Sequence, residues 1–218
     1  MNKNISNLHL EILDNKRKEV LDKILPYTFD FVLSGGTALA LQLSHRKSFD
    51  FDFFSSSQIP KNLLEKISQN LEIQNIAVDM PDELTFFTRD NIKITFLFYP
   101  FKHFFEIIRI EKGLSIFPVQ EIALQKAYTI GRRGEYRDYF DLYYVLKDGH
   151  INLKDIIAYS KEAYGKVFDE KIFLEQLIYF GDLTNFEIIP VNNNSSFPKP
   201  GDIKRFLEGL VKDYINAL

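Results

Sequence analysis

The feature that most constrains the fold is an alternation of phenylalanine and aspartate, FDFDF, at residues 49–53. A period of two is typical of a β-strand, whose successive side chains point to opposite faces, and it predicts a strand over 48–54. One face is then phenylalanine, and the other carries Asp50 and Asp52, about 6–7 Å apart. Two like charges on one face repel each other. We therefore expect a divalent cation between the two carboxylates.

Two adjacent glycines precede this strand. The apolar run 29–33 predicts a buried strand, and the alanine- and leucine-rich run 37–44 predicts a helix, so Gly35 and Gly36 lie at a strand-to-helix junction. The more common interpretation of such a pair is a tight turn. The alternative is a phosphate site, in which backbone N–H groups at the helix N-terminus and the hydroxyl of Thr37 approach an anion.

The rest of the chain divides into two halves of different character. Hydrophobic periodicity predicts an N-terminal helix over 6–26, and the segments of the first half that follow the aspartates are a helix at 60–69 and strands at 71–79, 84–89 and 91–98. After Pro118 the pattern is helical, and the predicted helices are 118–130, 135–147, 153–164, 170–180 and 202–216, with a linker-like stretch at 190–202. The fold class is therefore α/β (α+β): a mixed sheet with flanking helices over 1–116, followed by a helical half, 117–218, packed on it.

Composition excludes several classes of function. The 218 residues are 45% apolar, which is enough for a substantial core, and the net charge of −3 provides no overall basic field that would attract nucleic acid. The chain has no cysteine, which excludes disulfides and thiolate metal sites. The N-terminus is too polar for a signal peptide, and no run approaches the roughly 20 apolar residues of a membrane span. We expect a cytoplasmic protein without a membrane partner.

The order of strand, glycine pair, helix and D-x-D strand resembles the nucleotidyltransferase superfamily that includes DNA polymerase β. Thirteen residues lie between Gly36 and Asp50, a spacing within the range of that superfamily. The segment SGGTALALQLSHRKSFDFDFFS resembles more closely the AbiEii/AbiGii-type nucleotidyltransferases, the toxins of bacterial toxin–antitoxin and abortive-infection pairs. In that family a basic step and a serine precede the aspartates, as His45, Arg46 and Ser48 do here.

A second segment, EIALQKAYTIGRRGEYRDYFDLYYVL at 121–146, resembles the downstream block of the same family. The matching positions are Lys126, Arg133, Gly134, Arg137, Asp138, Asp141, Leu142 and Tyr143. The residues alone also allow a solvated helix with an ion pair between Arg137 and Asp141, four residues apart. The aromatic residues around them instead indicate aspartates that are partly buried and paired.

The resemblance implies a metal-dependent nucleotidyltransferase that takes an NTP as substrate. In this scheme Asp50 and Asp52 hold Mg²⁺ or Mn²⁺, and Lys126 neutralises phosphate charge. The remaining nucleotide-binding positions are Gly35, Gly36, Thr37, Arg46 and Lys93. The acceptor is RNA, tRNA or a protein hydroxyl, and a cognate antitoxin is a possible protein partner. The basic cluster that consists of Lys126, Arg132, Arg133 and Arg137 is the densest in the chain, and it is interpreted as a phosphate site with helix-end charges rather than an RNA surface.

One position departs from the superfamily pattern. A third carboxylate is expected on a neighbouring strand, but NIKITFLFY at 91–99 places Thr95 there. A threonine hydroxyl cannot act as a base near neutral pH, so Asp138 or Asp141 replaces the missing group, one metal suffices, or transfer is lost. The second hypothesis is therefore an inactive nucleotide-binding or protein-interaction module. A D-x-D glycosyltransferase is the third, although only 49 residues precede Asp50.

Overall fold

The chain forms two compact units. The first contains residues up to 101 together with 106–118, and the second contains 102–105 together with the residues from 119 onward. The computed structural model describes residues 8–110, 113–130, 132–192 and 197–217. The predicted linker therefore lies partly outside the described residues. Over the described ranges, no helix is both long and apolar enough to cross a membrane.

The N-terminal helix is shorter than the sequence pattern predicts. Helix α1 spans Asn15–Ile24, because the carboxylate of Asp14 accepts a hydrogen bond from the backbone N–H of Arg17 and so caps the helix at that point. The predicted start at residue 6 lies outside the described residues. The predicted strand at 29–33 is also displaced: strand β1 is Val32–Ser34, and Phe29 is exposed.

The first unit is built on a mixed sheet. Its remaining elements are α2 (Gly35–Leu43), β2 (Phe51–Ser55), α3 (Leu63–Ser68), β3 (Ile73–Asp79), β4 (Glu83–Thr88), β5 (Lys93–Phe98), β6 (Ile108–Arg109) and β7 (Ser115–Ile116). In the part of the chain that is described, the strand order is β3-β4-β5-β2-β1-β7-β6. The β5–β2 and β1–β7 pairs are parallel, and the other neighbours are antiparallel. The predicted α/β class with a mixed sheet is confirmed.

One face of the sheet centre is the apolar core, and its position follows from the period of two. Phe51, Phe53, Ile94, Phe96 and Phe86 are all completely buried. The ring centroids of Phe53 and Phe96 are 5.3 Å apart in a stacked arrangement. Because alternate residues of each strand are committed to this core, the intervening residues of β2, β4 and β5 share the opposite face. That face carries the candidate site.

The second unit is helical, as predicted from Pro118 onward. Its helices are α4 (Val119–Ile130), α5 (Tyr136–Lys147), α6 (Leu153–Tyr164), α7 (Glu170–Ile178) and α8 (Pro200–Asn216). Helix α4 packs against α5, α6 and α7, and nine of its twelve residues are buried, including polar ones. A helix surrounded on most sides needs partners for every charge that it carries.

Candidate active site

The glycine pair joins β1 to α2 and brings the Asp52 carboxylate against the backbone. Gly35 has a φ of +67°, in the left-handed region that glycine adopts without strain. A Cβ atom at this position would lie 2.5 Å from Oδ2 of Asp52, which is closer than any real contact. The positive φ favours glycine here, and a Cβ atom would also have to displace the Asp52 carboxylate. The result is a carboxylate placed directly beside the N-terminus of a helix.

The second glycine makes the same kind of contact with a cation. A Cβ atom at Gly36 would lie 2.5 Å from Nη2 of Arg46 and 3.0 Å from Oγ of Ser48. Arg46 is only 4% exposed, and its Nη1 donates a hydrogen bond of 3.0 Å to the carbonyl of Lys47. The guanidinium therefore lies against the first turn of α2, where it adds positive charge to that of the helix N-terminus.

Thr37 connects this turn to the aspartate segment. Its hydroxyl donates a hydrogen bond to the backbone carbonyl of Asp50, so it holds the chain that precedes β2. Strand β2 begins at Phe51, later than the predicted 48, and Asp50 therefore stands just before the strand while Asp52 lies within it. The structure thus gathers most of the predicted first-half site in one place. These residues are Gly35, Gly36, Thr37, Arg46, Asp50 and Asp52.

A row of four polar residues crosses the sheet at Asp52. The strand register pairs Ser34 with Asp52, Asp52 with Thr95, and Thr95 with Thr85, on β1, β2, β5 and β4 respectively. Paired residues share a face, so the row lies opposite the phenylalanine core. Lys93, two residues before Thr95 on β5, belongs to the same face.

Sequence reasoning missed the outer end of this row. The Oγ1 of Thr85 lies 3.2 Å from Oγ1 of Thr95 and 2.7 Å from Oε1 of Glu83. The alternation in ELTFFT, at 83–88, places Glu83 and Thr85 on one strand face and could have indicated the pair. The alternation does not indicate that β4 pairs with β5, because strand pairing depends on contacts between different segments of the chain.

The donor set suits a hard cation, with two carboxylates as its protein ligands. Within the described ranges, no group of three or more His, Cys, Asp or Glu side chains is arranged to hold a metal. Mg²⁺ typically binds one or two carboxylates and completes its shell with water and substrate phosphates. The Asp52 carboxylate lies next to a helix N-terminus, and the backbone of Asp50 is bonded to Thr37 in the first turn of that helix. Two carboxylates at this place in the chain fit Mg²⁺ or Mn²⁺ together with a phosphate ligand, and do not fit a metal held by protein groups alone.

The second predicted block forms a buried ion cluster in the helical unit. Nζ of Lys126, on α4, lies 2.6 Å from Oδ1 of Asp138 and 2.7 Å from Oδ2 of Asp141, both on α5. Nε of Arg133 lies 2.9 Å from Oδ2 of Asp138. Lys126 is 6% exposed, and the aspartates are 1% and 0% exposed. The expectation that the aspartates are buried and paired is confirmed, whereas Arg137 forms an exposed pair with Glu135 instead of Asp141.

The cluster is electrically balanced. Burial by itself would raise the pKa of Asp138, but the adjacent charges of Lys126 and Arg133 outweigh that effect and hold the pKa below its usual value. Two cations face two carboxylates, so the net charge of the group is zero. Arg132 is also engaged: its guanidinium lies 3.9 Å from the ring centroid of Tyr128, and it donates to the carbonyl of Val167. The basic residues of this region therefore have protein partners. The predicted contacts of Lys126 and Asp138 with substrate stay predictions.

Two sequence comparisons each match most of the chain. The model of a family described as nucleotidyl transferase AbiEii toxin, type IV toxin–antitoxin system, matches residues 21–213. An uncharacterized protein of Aquifex aeolicus is 28% identical over 211 residues, which are 93% of this chain and 98% of that protein.

Solved structures show the same fold. A candidate nucleotidyltransferase from Helicobacter pylori has a TM-score of 0.54 at 20% identity, over 94% of this chain and 99% of that one. The JHP933 protein of Helicobacter pylori has a TM-score of 0.50 at 19% identity, over 96% and 97% of the two chains. At these identities, the likeness carries the architecture and not the chemistry.

Proposed function

Because the chain belongs to the AbiEii family of nucleotidyltransferase toxins, we propose that it transfers the nucleoside monophosphate of an NTP to an acceptor hydroxyl, with a divalent cation. One observation carries this proposal: the Asp52 carboxylate lies against Gly35 at the N-terminus of α2. A carboxylate that can hold a cation and N–H groups that can hold a phosphate are then adjacent, as a metal–nucleotide complex requires.

Each predicted site residue of the first unit has a definite role in this proposal. Asp50 and Asp52 would hold Mg²⁺ or Mn²⁺, and the bound cation would supply Lewis-acid polarisation of the phosphoryl oxygens. The backbone N–H groups of Gly35 and Gly36 receive the triphosphate, whereas the hydroxyl of Thr37 orders the loop through Asp50. We retain Lys93 as a phosphate ligand because it lies on the same sheet face as Asp52.

The reaction balances without a further reagent. The acceptor hydroxyl oxygen forms a bond to the α-phosphorus, and the bond from that phosphorus to the bridging oxygen breaks. Pyrophosphate leaves with the electron pair, and the hydroxyl proton passes to water. The guanidinium of Arg46, beside Gly36, opposes the charge that gathers on the leaving group. Lys126 and Asp138 remain proposed contributors, the first to phosphate neutralisation and the second as the third carboxylate.

The NTP substrate and the antitoxin are suggested by the family, whereas the acceptor is part of the proposal alone. The substrate is an NTP, the acceptor is RNA, tRNA or a protein hydroxyl, and a cognate antitoxin regulates the activity. We propose a cytoplasmic location, where NTPs and all three acceptors are present. The charges of Lys126 and Arg133 are balanced by Asp138 and Asp141, which favours acceptor recognition by shape and local contacts over attraction by an extended basic surface.

A specific observation supports a second candidate. Thr95 occupies the place of the third carboxylate, and its hydroxyl is not a base near neutral pH. A site with two aspartates and a threonine in place of the third carboxylate could bind Mg–NTP without transferring the nucleotide. The alternative is therefore a nucleotide-binding or protein-interaction module with the same fold.

One experiment separates these functions. The protein is incubated with each labelled NTP, Mg²⁺ and total RNA, and label is measured in the RNA and in the protein fractions. The variants are Asp52→Asn and, as a matched control, Asp79→Asn, which changes an exposed carboxylate at the end of β3. Transfer by the parent and the control, but not by Asp52→Asn, supports the transferase.

Thermal melts with and without Mg–NTP complete the test. We expect the ligand to raise the melting temperature of the parent and not of Asp50→Asn or Asp52→Asn, whose folds survive. A shift in the parent without label transfer favours the inactive module. Equal shifts in the parent and both aspartate variants would contradict a nucleotide site at these carboxylates.

A further inference from the structure

The hydroxyl of Thr85 contacts two oxygen atoms, Oε1 of Glu83 at 2.7 Å and Oγ1 of Thr95 at 3.2 Å. A threonine hydroxyl carries one proton, and a carboxylate can only accept. Bonds to a charged acceptor are shorter and stronger than bonds between neutral hydroxyls, so the Thr85 proton goes to Glu83. The bond between the two threonines must then take its proton from Thr95.

This direction of donation determines what Thr95 presents to the rest of the row. With its proton committed to Thr85, Oγ1 of Thr95 offers only lone pairs on its other side. The next residue of the row on that side is Asp52, the register partner of Thr95 on β2. Thr95 and Thr85 are 8% and 3% exposed, so little water competes for these bonds. Two acceptor groups thus stand side by side on one face, an arrangement that favours a cation over a hydrogen bond between them.

We infer that Thr95 is a neutral oxygen ligand of the divalent cation held by Asp50 and Asp52, and that Glu83 and Thr85 are positioning residues that keep the Thr95 proton turned away from it. This inference rests on the proposed function, since it concerns the same cation. It gives Thr95 a role as a neutral ligand on the strand where the superfamily pattern has a carboxylate, whether or not Asp138 supplies a third carboxylate. The negative charge of Glu83 then stays two strand spacings from β2, about 10 Å at the backbone, instead of adding to the two aspartates.

The test measures Mn²⁺ binding directly, through the loss of the free Mn²⁺ signal in electron paramagnetic resonance. The variants are Thr95→Val, which removes the ligand, Thr85→Val, which frees the Thr95 proton to bond Asp52, and Glu83→Gln. The glutamine amide can donate to Thr85 and reverse the chain of protons. We expect each change to weaken Mn²⁺ binding by about tenfold, the lower end of the effect of groups that support a metal ligand.

The matched control is Thr28→Val. Thr28 is 1% exposed, and its hydroxyl donates to the carbonyl of Leu25, so this variant deletes an equally buried hydroxyl of the same unit outside the row. Its Mn²⁺ affinity is expected to equal that of the parent. Circular dichroism verifies that each variant folds. Glu83 is half-buried, so glutamine should be tolerated at this position. Glu83→Gln therefore still tests the inference if Thr85→Val does not fold.

The outcomes distinguish this inference from the proposed function. Mn²⁺ binding that is lost in the double variant Asp50→Asn, Asp52→Asn but unchanged in Thr85→Val and Glu83→Gln overturns the role of the row and leaves the metal site standing. Binding that is equal in the parent and the double aspartate variant overturns the metal site, and the inference with it. Weakening in the row variants with an unaffected Thr28→Val supports both.

Discussion

Replacing Lys126 by methionine is the sharpest test of the buried ion cluster. The side chains have similar length, but the variant removes a cation that lies 2.6 Å and 2.7 Å from the carboxylates of Asp138 and Asp141. Asp138 keeps Arg133 at 2.9 Å, whereas Asp141, which is 0% exposed, loses its 2.7 Å contact. Removing one partner of a buried ion pair typically costs about 3–5 kcal/mol, which is a large part of the 5–15 kcal/mol that stabilises most proteins.

The free energy of unfolding is measured by urea titration with far-UV circular dichroism, which reports the helices. Lys102→Met is the matched control, because Nζ of Lys102 lies 2.6 Å from Oε1 of Glu162, the same length as the buried bond, but both side chains are more than half exposed. An exposed pair contributes about 0–1 kcal/mol. A Lys126→Met variant that is no less stable than Lys102→Met would refute the reasoning.

The pH dependence provides an independent check. Because the folded-state pKa of Asp138 is lowered, its contribution to stability is complete at neutral pH and is lost as the pH falls through that pKa. The difference between the parent and Lys126→Met should therefore be largest near neutral pH and should shrink in acid. Converting Asp138 and Asp141 to asparagine in the same variant should recover most of the loss, since the two buried side chains that faced the Lys126 charge are then neutral.

Two further predictions concern the glycine turn and a buried acid. Gly35→Ala should lower the free energy of unfolding by about 1–2 kcal/mol or more, because the residue has a positive φ. It should also displace Asp52, so that Mg–NTP no longer raises the melting temperature. The control is Gly209→Ala, in open space within α8, which should raise the free energy of unfolding by about 1 kcal/mol. If Gly35→Ala keeps both the shift and the stability, the close approach is not needed. Glu121 is 0% exposed, its Oε2 accepts bonds from the N–H groups of Phe104 and Phe105, and burial raises its pKa. The stabilising contribution of protonated Glu121 is therefore lost as the pH rises through that pKa. In urea titrations, the free energy of unfolding of Glu121→Gln relative to that of the parent should increase as the pH is raised. A difference that does not change with pH would contradict this prediction.

The Lys126 prediction also bears on how activity data are interpreted. A residue that neutralises two buried carboxylates is needed for folding, whether or not it also contacts substrate. Loss of activity in Lys126→Met therefore supports a role in phosphate neutralisation only if the variant is folded under the assay conditions. Lys126→Arg retains the charge and provides the comparison, although its planar head forms different hydrogen bonds.

Local features of the site were predictable from the sequence. The alternation of phenylalanine and aspartate identifies which residues of β2 are buried, because side chains alternate between the faces of any strand. The glycine pair before a helix-forming run indicates the turn, and Gly35 does adopt the left-handed conformation. The ends of the helices and strands were less predictable. Helix α1 begins after Asp14 because the Asp14 carboxylate caps it, and hydrophobic periodicity carries no information about such a bond.

The sequence by itself thus determined most of the elements, the buried face of β2 and the family, but not the short strands β6 and β7. Only the tertiary structure decided which polar groups are partners. Lys126 meets Asp138 and Asp141 because α4 packs against α5, and Thr95 stands between Asp52 and Thr85 because β5 pairs with β2 on one side and β4 on the other. The physical reason is the distance along the chain over which each effect acts. Side-chain direction repeats every two residues in a strand and every 3.6 in a helix, so the sequence pattern reveals it. The partner of a buried charge depends instead on how segments that are far apart in the chain pack together.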